Sequence, residues 1–332
     1  MRILSKFTLT IVLILMLLTA YSQQNSFFKD IDKTFGLSST KNFDTNYYTI
    51  AKNGWMLNLN NNFSGFILNA KMKNVPFHNE VTMNLHSAFN YQLSATFGYR
   101  NLILGYSIAN IYGKGKDFTL SLSSNSWGVE FRRLESDDFS GESESSLSES
   151  NMKINEGDIK VKTRYLRAYH VFNSKKYSTA AAIDQRCVQK KSAGSLLFYT
   201  NYAIQNISFY NPELINRFKG IHSLEYSQGE LGLGYGYNFT PNQGKLLLHA
   251  SIIPMFVVLT SEYANDNTLT ELQTTHKYFF NAMGRFTINY RFNDNLGLCL
   301  SAFLNTNRFS AQNDLTINLY DYLIKASLCF RI

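Results

Sequence analysis

The strictest constraint in the chain is a period of two. Tyr278, Phe280, Ala282, Gly284, Phe286, Ile288, Tyr290 and Phe292 alternate with Phe279, Asn281, Met283, Arg285, Thr287, Asn289 and Arg291. Successive side chains of a strand point to opposite faces, so the two sets flank one strand. The stretch exceeds the ~9–11 residues that a tilted strand needs to cross a bilayer. The pattern recurs where Leu296, Leu298, Leu300, Ala302 and Leu304 alternate with Gly297, Cys299, Ser301, Phe303 and Asn305. It recurs again where Leu231, Leu233, Tyr235, Tyr237 and Phe239 alternate with Gly232, Gly234, Gly236 and Asn238. In the last such segment Tyr320, Tyr322, Ile324, Ala326, Leu328 and Phe330 oppose Lys325, Ser327, Cys329 and Arg331. Glycine and charge on the second face fit a crowded polar lumen, whereas a sandwich core would place larger apolar residues there.

Twelve such segments are expected, at 54–72, 84–99, 101–111, 117–123, 126–135, 158–172, 193–207, 226–239, 244–259, 277–292, 294–306 and 316–331. A barrel with both termini in the periplasm alternates short inner turns with longer outer loops. Tyr99 to Asn101, Ser123 to Ser126, Thr240 to Gln243 and Asn293-Asp294 fall on the short side, and 136–157, 208–225, 260–276 and 307–315 on the long side. Residues 173–192 break the rule as a long periplasmic connection. The expected fold is therefore all-β, an antiparallel transmembrane β-barrel of about twelve strands, with ten or fourteen also compatible. A soluble periplasmic β-sandwich is the competing fold, because period two does not distinguish lipid from core.

The start of the chain agrees with export. Arg2 and Lys6 precede an apolar run from Leu9 to Leu18, and Ala20-Tyr21-Ser22 supplies small residues at the positions a signal peptidase reads. The run is shorter than the roughly 20 residues of a membrane-spanning helix. The expected organisation is a signal peptide at 1–22, cleaved near Ser22/Gln23, a periplasmic segment at 23–53 and an outer-membrane barrel at 54–332. The formal charge of +8 is scattered among strands, which with export excludes nucleic acid as a partner. Aromatic residues at 15% against 17% charged suit barrel walls with aromatic girdles.

Several segments resemble a known family. Phe43-Asp44-Thr45-Asn46-Tyr47, Val188 to Leu196 (with Gln189-Lys190-Lys191-Ser192-Ala193-Gly194-Ser195), and Gly232 to Phe239 followed by Leu246 to Pro254 are similar to a Bacteroides-type family catalogued as domain of unknown function 4421. The resemblance covers most of residues 43–332 and implies a Gram-negative outer-membrane barrel. It implies no activity. Members of that family end on an aromatic residue, the feature read by barrel-assembly machinery, whereas this chain ends Phe330-Arg331-Ile332.

The candidate sites follow from the inward faces. Lys160, Lys162, Arg164, Lys245, Arg285, Arg291, Lys325 and Arg331 are expected to make a basic lumen, with few acids such as Glu130, suited to a small anionic solute or to structural pairing at strand ends. His249 and Ser251 lie on one side of a strand, a spacing similar to that of the outer-membrane phospholipases. An imidazole beside a hydroxyl makes a nucleophile when a third group orients the histidine. Alternation sends this pair inward, and lumen hydrogen bonding is the competing role. In the long periplasmic connection, Lys190, Lys191, Ser192, Gly194 and Ser195, with Lys175, Lys176 and Arg186, suggest either a plug in the barrel mouth or a basic turn against head groups. Glu135, Asp137, Asp138, Glu142, Glu144, Glu149, Glu156 and Asp158 make an acidic outer loop without the ligand order of a calcium site, so no metal and no cofactor are expected. Cys187, Cys299 and Cys329 leave at least one free thiol. Cys299 and Cys329 fall on the inward side of the last two strands, either as a pair or as isolated wall residues. The expected partners are outer-membrane lipids and lipopolysaccharide, together with the assembly machinery. The expected role is structural or a narrow pore, with a lipid-modifying hydrolase using His249 and Ser251 as the alternative.

Overall fold

The computed structural model describes residues 44–50, 55–74, 79–99, 102–112, 115–124, 126–146, 151–183, 185–218, 220–265, 270–271, 280–311 and 315–331. The leader and residues 23–43 lie outside them. Among the described residues no helix is long and apolar enough to cross a membrane, and the long elements are strands.

The wall is built from β2 (Trp55–Asn74), β4 (Asn90–Tyr99), β5 (Leu102–Tyr112), β6 (Lys116–Ser123), β7 (Trp127–Ser136), β10 (Ile159–Val171), β12 (Ala193–Phe209), β13 (Ser223–Phe239), β14 (Leu246–Asn265), β16 (Phe280–Arg291), β17 (Leu296–Ala311) and β18 (Leu315–Arg331). Each pairs antiparallel with its neighbours in that order, and β18 returns to β2 over Thr316↔Lys71 to Arg331↔Met56. Among the described residues the ladder is a closed ring of these twelve strands. Closure leaves every wall strand paired on both sides, which removes the unpaired edges of an open sheet.

The wall is apolar outside. Leu231, Leu233, Tyr235, Tyr237 and Phe239 on β13, Leu298, Leu300 and Leu304 on β17, and Ile324 and Leu328 on β18 all expose their side chains outward. The opposite parity is buried and, in the half nearer the termini, polar: Asn238, His249, Thr287, Asn289 and Ser327. An apolar exterior around a polar interior inverts a soluble protein and matches a lipid-facing barrel. It disposes of the sandwich.

The outer half departs from expectation. The segment expected as one strand at 84–99 is two, β3 (Asn79–Ser87) and β4, separated at Ala88-Phe89. β3 pairs with the upper part of β2 and with β8 (Phe139–Ser145), which pairs with β9 (Met152–Ile154). The expected loop 136–157 thus carries two strands, joined to the wall through β3. Phe66, Leu68, Met83, Leu85, Phe139, Ile159, Val161, Ile207, Tyr226, Phe309 and Ile317 fill the interior there as one buried cluster. Leu214 and Phe218 join them from the short helix α2 (Pro212–Arg217), whose cap Asn211 accepts from Glu213 N at 2.9 Å and Leu214 N at 3.4 Å.

That core corrects three expectations about the lumen. On β10 the inward residues are Ile159, Val161, Thr163, Tyr165 and Arg167, so Lys160, Lys162 and Arg164 share the outward parity of lipid-facing Leu166. At this end of the barrel the polarity inverts: the interior is packed with apolar side chains and the charged ones stand outside. Charge there marks the outside. Lys245 stands exposed in the turn before β14.

The connection after β10 enters the barrel from the terminal end. Its helix α1 (Thr179–Ile183) buries Thr179, Ala180, Ala181 and Ala182. Its strand β11 (Cys187–Gln189) pairs with β1 (Tyr48–Ile50). Residues 173–192 therefore fold into the mouth as a plug, and 48–50 of the segment expected at 23–53 is part of it.

Candidate functional site

Between the apolar outer core and the plug lies a cavity of about 170 Å³. Its outer boundary is a buried polar network. Asp117 receives Arg132 Nη2 at 2.8 Å and Nε at 3.2 Å, a bidentate pair. Asp321 receives Tyr165 Oη at 2.7 Å and Asn305 Nδ2 at 3.0 Å. Arg167 reaches Glu130 at 3.5 Å and donates to Asn201 Oδ1 at 3.2 Å, and Asn201 donates to Glu230 at 2.6 Å. Arg132 and Arg167 were absent from the expected lumen list. Parity could have found them, since Arg132 lies one residue from outward Phe131 and Arg167 one from Leu166, but the β10 parity was read from the wrong end.

The inner wall places the candidate residues in two cross-strand rows. His249, Thr287, Ser301 and Lys325 are successive partners across β14, β16, β17 and β18. One step outward, Ser251, Arg285 and Phe303 are successive partners. Phe303 carries three guanidinium groups around its ring, from Arg285 at 5.4 Å, Arg167 at 5.3 Å and Arg132 at 5.9 Å. Glu130 stands within the field of Arg167, Arg285, Arg132 and Lys325. Among the described residues, Arg285 and Lys325 form no ion pair. Thr287 Oγ1 and Arg167 Nη2, both buried, have no hydrogen-bond partner in the protein, and both residues border the cavity. A buried donor left unmade costs about 1–3 kcal/mol, and these two groups are unsatisfied polar atoms of this wall.

His249 is buried and hydrogen-bonded through both ring nitrogens. Nδ1 lies 2.9 Å from Asn238 Oδ1 and Nε2 lies 3.2 Å from Ser251 Oγ. The Asn238 amide is held by two donated bonds, to Ser178 O at 2.9 Å and Gln189 Oε1 at 3.1 Å. Its oxygen must therefore face the imidazole, which puts the proton on Nδ1 and leaves Nε2 to accept from Ser251. Asn238 completes the arrangement that His249 and Ser251 began. No sequence spacing pointed to it, because the contact runs across the β13–β14 ladder, where Asn238 is the register partner of His249.

The plug supplies those orienting bonds and is itself socketed. Gln189 Nε2 donates to Lys176 O at 2.6 Å and Lys191 O at 2.9 Å, which turns its oxygen toward Asn238 and Ser178. Asn289 donates to the carbonyls of Ala181 and Ala182 at 2.8 and 2.9 Å at the end of α1. Arg331 binds Gln185 O at 2.8 Å and Oε1 at 2.9 Å, and Gln185 holds a left-handed φ of 57°. Glycine makes room for this. A Cβ at Gly236 would collide with Tyr177 Oη, and one at Gly297 with Gln185 Oε1. Of the other candidates in this region, Asn173 binds Ser195 Oγ at 2.9 Å and Gly194 O at 2.8 Å, Ser192 Oγ accepts from Thr240 N at 2.9 Å, and Lys190 reaches Thr45 O at 3.1 Å. Lys176 and Lys191 lie over the Tyr47 ring. Arg331 is a plug anchor, and Arg291 pairs with Asp294 at the rim at 3.3 Å. Cys187, Cys299 and Cys329 are buried thiols, with Cys299 opposite Ser327 and Cys329 opposite Gly297.

Among solved structures the chain is similar to the outer membrane protease OmpT from Escherichia coli (TM-score 0.38, 8% identity, covering 89% of this chain and 100% of that one). It is also similar to the beta domain of the Bordetella autotransporter BrkA (TM-score 0.34, 10% identity, 85% and 100%) and to the outer membrane protein OprG from Pseudomonas aeruginosa (TM-score 0.28, 12% identity, 85% and 98%). At these similarities they say nothing of this chain's chemistry. No curated protein matches it. The family model described as a domain of unknown function, number 4421, matches residues 42–331, and the chain belongs to that family.

Proposed function

We propose that the protein is an outer-membrane barrel, exported by the leader at 1–22 and inserted by the barrel-assembly machinery, that holds a small anion in a chamber on its periplasmic side. The observation that carries this reading is the pair Arg285 and Lys325, which among the described residues form no close ion pair, share the field of the single carboxylate Glu130 with Arg132 and Arg167, and flank the hydroxyls of Ser251, Thr287 and Ser301 beside the cavity. Two cations in a space shielded from bulk water attract an anion far more strongly than the same charges on a surface. The basic lumen thus contracts to one wall. A through-pore is disfavoured, because the outer interior is packed with apolar side chains. The test is isothermal titration of folded protein in detergent with inorganic phosphate and with acetate. Saturable binding that weakens about tenfold or more in Arg285→Gln and Lys325→Gln supports the reading. Binding equal in the variants, or none to either anion, removes it.

The Asn238–His249–Ser251 relay favours a second reading, an esterase acting on a small anionic ester held by Arg285. Ser251 Oγ would attack the carbonyl carbon while its proton passes to His249 Nε2 and Asn238 keeps the ring oriented. The alcohol would then leave with that proton, and water would release the acid from Ser251 and restore it. Hydrolysis of a nitrophenyl ester or a phospholipid that disappears in Ser251→Ala and falls in Asn238→Ala supports it. Hydrolysis that survives either His249→Ala or Ser251→Ala ends it.

A further inference from the structure

The residues that left the lumen list form a surface of their own. On the outside of the wall, Lys116, Glu135 and Lys162 are successive cross-strand partners on β6, β7 and β10, and one step lower Arg133 is opposite Arg164. Lys160 completes the group, 2.7 Å from Glu135, with Lys116 at 3.8 Å and Arg133 at 3.5 Å from the same carboxylate. Three cations therefore pair with one carboxylate, and Lys162 acts on it from the facing strand. Glu135 is nearly enclosed by them, with 9% of its side chain exposed, while 76% of Lys116 and 51% of Arg133 face outward. The next row down is Leu120, Phe131 and Leu166, of which Leu120 and Leu166 are exposed apolar side chains of the lipid belt. The cluster thus sits directly on the upper edge of that belt.

Like charges opposed across strands repel, and the Arg133–Arg164 pair has no carboxylate of its own on that row. Glu135 offsets that repulsion only from the row above, and an anion presented by the membrane at this height would relieve the rest. The end of the barrel that holds the termini and the plug is the periplasmic end under the reading above, so this edge lies at the outer leaflet, whose glycolipid carries phosphates where acyl chains meet water. We propose that Lys116, Arg133, Lys160, Lys162 and Arg164 bind the phosphate groups of that glycolipid, with its acyl chains against Leu120, Phe131 and Leu166. Two guanidinium groups side by side offer bidentate donors to phosphate oxygens.

This rests on the outer-membrane reading, and the experiment separates the two. Full-length folded protein in detergent is titrated with diphosphorylated lipid A, with dephosphorylated lipid A and with inorganic phosphate, and bound lipid is counted by native mass spectrometry. Lipid A should bind at least about tenfold more tightly than its dephosphorylated form. Inorganic phosphate should not displace it. R133Q/R164Q should lose that preference while R133K/R164K keeps most of it, and both should retain the heat-modifiable gel mobility of a folded barrel. Equal binding of the two lipids, or a preference unchanged in R133Q/R164Q, overturns the proposal. Displacement by inorganic phosphate at comparable concentration also overturns it, since the site would then be a general anion patch. Membrane fractionation is scored independently: protein recovered outside the outer membrane refutes the localisation, whatever the lipid binding shows.

Discussion

At the scale of single residues, the absence of a side chain does as much as any side chain present. Gly236 and Gly284 both sit in regular wall strands, yet their surroundings differ completely. A Cβ at Gly236 would run into Tyr177 of the plug, whereas at Gly284 it would meet nothing within 4 Å. Gly236→Val should therefore destabilise the folded protein by about 1–3 kcal/mol through overpacking or displacement of the plug, and Gly284→Val should leave it within about 0.5 kcal/mol. The temperature at which the compact gel band converts to the unfolded one reads both, and equal midpoints would refute the socket. The glycines of β13 were legible in sequence as a crowded inner face. Which of them is a socket was not, because the group that fills it comes from a segment separated from β13 by the whole of β12. Asn238 was hidden for the same reason: its value lies in facing His249 across a ladder and in being held by Ser178 and Gln189 from the plug.

At the scale of elements, alternation read the walls well and one strand backwards. Period two locates a strand and splits its faces, but naming the inner face needs a second rule, that polar means lumen. That rule holds from Gly232 to Asn238 on β13, and from Asn281 to Asn289 on β16, where lipid lies outside. It fails on β10, where Ile159 and Val161 are buried in the outer core and Lys160, Lys162 and Arg164 stand outside. The plug was legible only as an anomaly of length. Its own contacts make it separable from the wall: it is anchored by Asn289, Gln185 and Arg331 rather than by a place in the ring. Replacing residues 177–186 with a flexible linker should leave a heat-modifiable barrel. It should also expose the wall thiols Cys299 and Cys329, which flank the Gly297 seat of Gln185 and are 2% and 1% exposed. A maleimide should label neither in the native protein within minutes and both in the linker variant. Labelling already complete in the native protein would show that the plug does not close this mouth.

At the scale of the whole molecule, the barrel is closed twice, by unlike means. The closure at the end that holds the termini is a hydrogen-bonded insert of modest size, whose polar bonds with the wall water can replace as it leaves. The closure at the other end is an apolar core shared by β2, β3, β7, β8, β9, β10, β12, β13, β17 and β18 with α2, and opening it would expose side chains such as Leu68, Met83, Leu85 and Phe139 that are wholly or almost wholly buried. Each costs ~1.5–3 kcal/mol to return to water, so this end does not open without loss of fold. The asymmetry makes the chamber a blind pocket approached from the end that holds the termini. Purified protein in a planar bilayer should accordingly give no conductance steps, and the linker variant lacking the plug should remain equally silent while its wall thiols become reachable by maleimide. Ion steps in the linker variant would mean that the outer core leaks, and the chamber would then have to be regarded as the inner vestibule of a pore. Silence in both, with the thiols unmasked in one, fits a barrel that uses its lumen as a receptacle, and Leu85→Ala would then lower the unfolding midpoint, by a loss of about 2–5 kcal/mol, without creating conductance.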